Sequence, residues 1–227
     1  MSQQLDHHVL RAKAFVFDLD GTLIDTTPLV ERHWREFALE HDLDPEKILT
    51  TSHGRRTIET IAEWVPHKAT IEYVDQLERR LAEKTEGVSV LPGVTNLLEK
   101  IPLGRMAICT AGNRFMAETR LNQCSIAVPT VMATGDVVTA GKPEPEGYLL
   151  TAKGLKEDPK DCIVFEDAPA GVRAARAAGM QCIACTTTHT KEQLKEAGAT
   201  YVVSFLTDVD ITSLPDGSFE VIVTNTL

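Results

Sequence analysis

Apolar and polar positions along this chain follow two different periods. Residues 14–17 (AFVF) are apolar without interruption between Lys13 and Asp18, the pattern of a strand covered on both faces. From residue 25 to about residue 90 the period is helical. Pro28 suits a first helical turn, and Val30, Trp34 and Phe37 recur at helix spacing. A second helix is predicted over 55–65, with Ile58, Ile61, Ala62 and Val65 inward and Pro66 as its stop. A third, over 71–82, carries Ile71, Val74, Leu77 and Leu81 on one face. After Pro92-Gly93, strands and helices alternate. Strands are predicted at 106–110, 129–133, 162–165, 180–185 and 201–204. Between them fall helices: one marked by Val94, Leu97, Leu98 and Ile101, one over 113–122, one opened by Pro145, one over 171–178 capped by Gly179, and one opened by the Thr190/Gln193 capping box. Residues 219–223, after the Asp216-Gly217 turn, are predicted to add an edge strand.

Such alternation argues an α/β fold, a Rossmann-like, doubly wound parallel sheet with helices on both faces. A small all-α domain is inserted after the first strand. The expected division is 1–24 and 91–227 for the α/β core and 25–90 for the helical insert. A chain of 227 residues has room for both.

Charge narrows the partners. With 23 Lys+Arg against 33 Asp+Glu, a net of -10, the surface as a whole disfavours nucleic acid and anionic membranes. A small anionic substrate then needs a local electropositive site such as a metal ion. The five cysteines are an odd set, and Cys182 and Cys185 lie in a predicted strand where residues three apart face opposite sides. No second pair completes a zinc site, so all five are expected as small core residues in a reducing compartment. No apolar run approaches the ~20 residues of a membrane span, and the polar N-terminus carries no signal-peptide stretch. A cytoplasmic monomer is the expectation.

Four polar sites fall at or after the C-terminal ends of predicted parallel strands, where open α/β sheets bind ligands. They are Asp18/Asp20, Thr110, Lys142 (separated from its strand by a loop) and Glu166/Asp167. Gly21 lets the chain turn, so the two acids at i and i+2 can converge. One carboxylate can act as a covalent nucleophile while a second, protonated, acts as acid and then base. Taken alone, Asp20-Gly21 also reads as a turn with Asp18 as a helix-cap acid. Glu166 and Asp167 repel unless a cation sits between them and Asp18; Mg²⁺ suits a site of a few oxygens. Alone, they also read as a solvated acidic loop. The Lys142 ammonium can hold an anion, and Thr110 with the N–H groups of Ala111 and Gly112 can cradle phosphate oxygens. Singly, Lys142 reads as a surface lysine and Thr110 as a helix cap.

The order and spacing of these segments resemble the haloacid dehalogenase superfamily, in its phosphatase branch with a helical cap. The carriers are FVFDLDGTL at 15–23, Thr110, Lys142 in GKPEP, and FEDAPAG at 165–171. The resemblance implies that Asp18 attacks a phosphoryl group and forms an aspartyl phosphate, and that Asp20 protonates the leaving alcohol and then activates water. It implies Mg²⁺ held by Asp18, the Asp20 carbonyl and Asp167, with Glu166 in or beside the ligand set, and phosphate held by Thr110 and Lys142. Asp20 also argues against dehalogenase chemistry, which has no leaving oxygen to protonate. SHGRRTI at 52–58 and FEDAPAG are similar to fungal 2-deoxyglucose-6-phosphate and glycerol-phosphate phosphatases, which makes His53, Arg55 and Arg56 candidates for contacting a small sugar or polyol phosphate. Two Arg residues there also read as the start of a helix on the cap surface. The competing readings are a phosphomutase similar to β-phosphoglucomutase and a non-catalytic module binding a phosphorylated ligand. A phosphonate-cleaving enzyme would need a cap lysine, and Lys47, Lys68 and Lys84 lack a convincing context.

Overall fold

The computed structural model describes residues 7–227; residues 1–6 of the polar N-terminus lie outside the described residues. The apolar run forms Ala14–Phe17 (β2), but a strand, His7–Ala12 (β1), precedes it. Then come Ile24–Asp25 (β3), four helices, Thr27–Glu40 (α1), Pro45–Ser52 (α2), Thr57–Trp64 (α3) and Ile71–Ala82 (α4), and Ser89–Val90 (β4). The rest alternates: Val94–Leu98 (α5), Met106–Cys109 (β5), Arg114–Gln123 (α6), Val131–Ala133 (β6), Glu146–Leu155 (α7), Cys162–Glu166 (β7), Pro169–Ala177 (α8), Gln181–Cys185 (β8), Lys191–Ala197 (α9) and Tyr201–Val203 (β9). Val209–Ser213 (β10) and Phe219–Thr224 (β11) end the chain.

The main sheet has the order β6-β5-β2-β7-β8-β9, and every neighbouring pair is parallel. Its central strands β2, β5 and β7 are buried at every position because both faces are covered. Alternation divides each strand between two cores. Phe15 and Phe17 join the core under α5 and α6, while Ala14 and Val16 join that under α7, α8 and α9. Phe17 stacks on Phe165 with centroids 4.8 Å apart. Cys182 and Cys185 fall in opposite cores, and all five cysteines are free.

The tail was expected at an edge; instead β11 is the middle of a separate antiparallel sheet, β1-β11-β10. The alternation of Phe219, Val221 and Val223 turns one face onto the main core, and β1 supplies the second neighbour. The β1 sequence hides this, since His7, His8 and Arg11 dilute its apolar positions.

Helices α1–α4 close around their own core, including Trp34, Phe37, Ile48, Ile61 and Leu77. The unexpected α2 opens on Asp44, whose side chain accepts from the Glu46 N–H, with Pro45 in its first turn. Two predicted core positions are corrected. Ala62 is exposed and Ile71 is 81% exposed, while polar Thr60 and Glu78 take buried places on α3 and α4. Glu78 is spent on the contact with the α/β core: its carboxylate accepts from the Asn113 N–H at 2.8 Å and the Thr57 hydroxyl at 2.6 Å. The chain enters and leaves these helices through the paired β3 and β4. No helix among the described residues is long and apolar enough to cross a membrane.

Candidate active site

Because β2 lies between β5 and β7, with Phe17 in register with Ile108 and Phe165, the residues that follow these strands emerge side by side. Asp18 donates its N–H to the Phe165 carbonyl and Thr110 donates its N–H to that of Ala133, both at 3.0 Å. Gly21, at φ +88°, turns the chain back, and a Cβ there would stand 2.3 Å from Asp167 Oδ2. The turn leaves Asp20 where the Thr26 hydroxyl donates to it at 2.7 Å.

Lys142 reaches in from its loop and is buried. Its Nζ lies 2.5 Å from Asp18 Oδ1 and 2.6 Å from Glu166 Oε1. Burial alone would lower its proton affinity, but the two carboxylates outweigh burial and hold Lys142 well above the ordinary lysine value. Glu166 is fully buried and committed on both oxygens. Oε1 accepts from Lys142 and, at 2.8 Å, from the Tyr148 hydroxyl; Oε2 accepts from the N–H groups of Asp167 and Ala168 at 2.9 and 3.0 Å. Burial opposes its ionisation, yet Lys142 and those N–H groups keep its carboxyl below the usual range. Asp167 accepts from the hydroxyls of Thr22 and Thr188.

The other acids are poorly compensated. Burial pushes Asp18 up to about 8, with the Lys142 ammonium opposing and Glu166 adding to the rise. Burial, then the charges of Glu166 and Asp18, drive Asp167 well above the carboxylate range. Burial also raises Asp20, against the Thr26 hydrogen bond. Asp18, Glu166 and Asp167 thus share the ammonium of Lys142, while Asp20 also feels the buried Arg120 guanidinium. One oxygen from each of Asp18, Glu166 and Asp167 lies within 4.8 Å of the other two. An all-oxygen, anion-rich set with a deficit of positive charge suits a hard divalent cation. Glu166 is already saturated by four donors, so Asp18 and Asp167 are the side chains free to ligate it.

A cavity of about 90 Å³ opens between this cluster and helices α1–α4. Asp18, Asp20, Thr110, Ala111 and Gly112 line one side; His33, Trp34, Ser52, His53 and Arg55 line the other. Thr110 accepts from the Gly112 N–H at 3.3 Å. Burial lowers the proton affinity of His53. Arg55 is paired with Glu63 at 2.7 Å. Arg56, expected with them, does not line the cavity. Its guanidinium donates to the carbonyls of Gly135, Val138 and Thr139, because it stands at the N-cap of α3 and faces the α/β core. Sequence reading missed Tyr148, Thr188, Thr26 and Arg120. Arg120, buried on α6, donates to the carbonyls of Leu81 and Lys84 and so caps α4 from across the cavity.

Residues 12–179 match the family model described as haloacid dehalogenase-like hydrolase. Hexitol phosphatase A of Escherichia coli is 37% identical over 92% of this chain and 98% of that protein. In Saccharomyces cerevisiae, glycerol-1-phosphate phosphohydrolase 2 is 37% identical over 86% of this chain and 82% of its own length, and 2-deoxyglucose-6-phosphate phosphatase 1 is 34% identical over 93% and 95%. Among solved structures, β-phosphoglucomutase of Clostridium difficile superposes with a TM-score of 0.71 at 26% identity, covering 86% of this chain and 92% of that one. With a family model spanning most of its length and relatives at this identity over nearly all of it, the chain belongs to the haloacid dehalogenase-like hydrolases.

Proposed function

We propose that this protein is an Mg²⁺-dependent phosphomonoesterase that hydrolyses a small sugar or polyol phosphate through an aspartyl-phosphate on Asp18. The observation that carries the reading is the Asp18 carboxylate, gripped by Lys142 at 2.5 Å, at the floor of a cavity roofed by helices. The relatives named above for hexitol, glycerol-1-phosphate and 2-deoxyglucose-6-phosphate support the substrate class. Residues 1–24 and 91–227 are read as the catalytic core and 25–90 as a cap, hinged where β3 pairs with β4.

Each residue has a part in the chemistry. The second oxygen of Asp18 attacks phosphorus in line with the ester oxygen, and the P–O bond to the alcohol breaks. Asp20, whose proton affinity is raised by burial, delivers its proton to the departing alkoxide and then takes one from the water that cleaves the acyl phosphate. Lys142, Thr110 and the N–H groups of Ala111 and Gly112 bind the phosphoryl oxygens as charge redistributes. Asp18 and Asp167, with the Asp20 carbonyl, would hold Mg²⁺, which supplies charge neutralisation and Lewis acidity at the phosphoryl oxygens. Burial and the neighbouring acids raise the proton affinity of Asp18, and a bound cation would oppose that rise and favour the carboxylate that attacks. Glu166 anchors Lys142. The cap excludes water, with His53 and Arg55 facing the alcohol portion.

The test is inorganic phosphate release, with Mg²⁺, from hexitol, hexose, pentose and glycerol phosphates and 2-deoxyglucose 6-phosphate. Asp18→Asn and EDTA controls run beside it. Release that needs both Asp18 and Mg²⁺ is the expected result. Absence of release from every ester by folded protein overturns it. The phosphoglucomutase likeness favours a second reading, transfer between two positions of one sugar, which appears as an isomeric phosphate rather than free phosphate.

A further inference from the structure

The α3 start carries a device that the chemistry above does not use. Arg56 Nη1 donates to the carbonyls of Val138 at 2.8 Å and Gly135 at 3.3 Å, and Nη2 to that of Thr139 at 3.0 Å. Its Nε donates to Glu59 Oε1 at 2.8 Å, and the same Glu59 oxygen accepts the Gly141 N–H at 3.0 Å. One arginine and one glutamate, three positions apart on the same helix, therefore read four backbone groups of a single loop. A Cβ at Gly141 would come within 2.9 Å of both Arg56 Nε and Glu59 Oε2, so the pair lies flush on the backbone. From the core side the same loop is held by Glu146, which accepts from the N–H groups of Thr139 and Ala140.

Both ends of this loop serve the candidate phosphoryl site. At one end the Gly135 N–H donates to the Gly112 carbonyl at 2.8 Å, beside the Thr110–Gly112 cradle. A Cβ at Gly135 would stand 2.1 Å from the Ala111 oxygen. At the other end Gly141 is followed directly by Lys142, whose ammonium bridges Asp18 and Glu166.

We infer that Arg56 and Glu59 are positioning residues, which fasten the helical insert to loop 135–141 and thereby set Lys142 and the Gly112 cradle for the phosphoryl group. The inference rests on the phosphomonoesterase reading. Docking of the insert then does more than exclude water, since it tunes the grip of the core on the phosphoryl group whatever alcohol is attached. A point mutation on the insert, outside the cavity, should act on the phosphoryl half of the reaction.

The experiment compares wild type, Arg56→Ala, Arg56→Lys and the isosteric Glu59→Gln. Each is assayed on a hexitol phosphate and on p-nitrophenyl phosphate, a small activated ester that asks little of the insert. Orthovanadate affinity in the presence of Mg²⁺ is measured by calorimetry, and melting temperature checks the fold. Arg56→Ala and Glu59→Gln are each expected to lose about tenfold to a hundredfold in kcat on both esters, as small misplacements of catalytic groups do. Vanadate should bind correspondingly more weakly. Arg56→Lys should not restore the loss, because a single ammonium cannot span three carbonyls. A loss confined to the hexitol ester, with vanadate affinity unchanged, overturns the inference, as does wild-type behaviour on all three probes. Should Arg56→Ala fail to fold, Glu59→Gln decides. Should wild type turn over neither ester, the phosphomonoesterase reading fails, while the vanadate titration still tests the loop.

Discussion

Replacing Glu166 by Gln separates two roles that a carboxylate in this cluster can have. The wild-type side chain accepts four hydrogen bonds: Lys142 and Tyr148 on one oxygen, two backbone N–H groups on the other. An amide has one acceptor oxygen and one donor group. If its oxygen faces the backbone, the NH₂ meets the Lys142 ammonium and the Tyr148 hydroxyl; if it is flipped, the NH₂ meets two N–H groups. Either way a fully buried donor pair loses its acceptor, and Lys142 loses one of its two counter-charges. Breaking a buried pair by neutralising one partner costs about 3–5 kcal/mol. For a chain of this size that is a fall in melting temperature of roughly 6–20 °C. Release of inorganic phosphate should fall with it, because Lys142 is no longer pinned beside Asp18. The Mg²⁺ concentration for half-maximal activity should change little, since Glu166 has no acceptor left for a metal, whereas Asp167→Asn should raise it strongly. Differential scanning calorimetry and a Mg²⁺ titration of activity make the measurement. A Glu166→Gln protein that melts within about 3 °C of wild type, or that needs far more Mg²⁺, would refute this account and return Glu166 to the metal.

Two further outcomes follow from the same cluster and a third from His33 on the far side of the cavity. The buried carboxylates of Asp18, Glu166 and Asp167 share one ammonium, which should make the metal-free protein less stable, so Mg²⁺ at a hundredfold excess over its Kd should stabilise the fold by about 2.7 kcal/mol, read as a thermal shift that Asp18→Asn diminishes. Asp20→Asn should lower kcat by about 10²–10⁴ without lowering the melting temperature, because the amide oxygen can still accept from the Thr26 hydroxyl but has no acid proton to give; a destabilised variant with normal kcat would contradict the assignment. Burial, aided by Lys84, lowers His33 from 6.5 to about 4, so between those values the unfolded chain binds a proton that the folded chain refuses. Stability from this residue is therefore present above about pH 6.5 and lost as pH falls toward 4, by up to about 3 kcal/mol. His33→Gln should flatten the acid limb of a melting-temperature profile, and an unchanged slope would exclude His33 as its source.

What can be read from the chain before folding follows from how each residue is positioned. Asp18, Thr110, Glu166 and Asp167 are legible because each ends or follows a strand that is apolar throughout, and parallel strands bring such ends together. Thr188 follows β8 by the same rule and could have been found by applying it once more, since it holds Asp167 as Thr22 does. Tyr148 has no such signal. It lies on α7 among apolar neighbours, and only the packing of that helix on the sheet shows its hydroxyl to be a ligand of Glu166. Arg120 is hidden in the same way, a charge on a helix of mixed polarity whose burial depends on the distant end of α4. Arg56 shows the opposite limit. A basic residue beside the candidate substrate loop invites an anionic ligand, yet its N-cap place on α3 aims it at the backbone carbonyls of loop 135–141. Periodicity and strand ends thus predict which groups can meet where the sheet itself is the positioning device. Where a helix is fastened to a distant loop, as α3 is to loop 135–141, the partner is backbone, and backbone carbonyls leave no mark on the sequence that binds them.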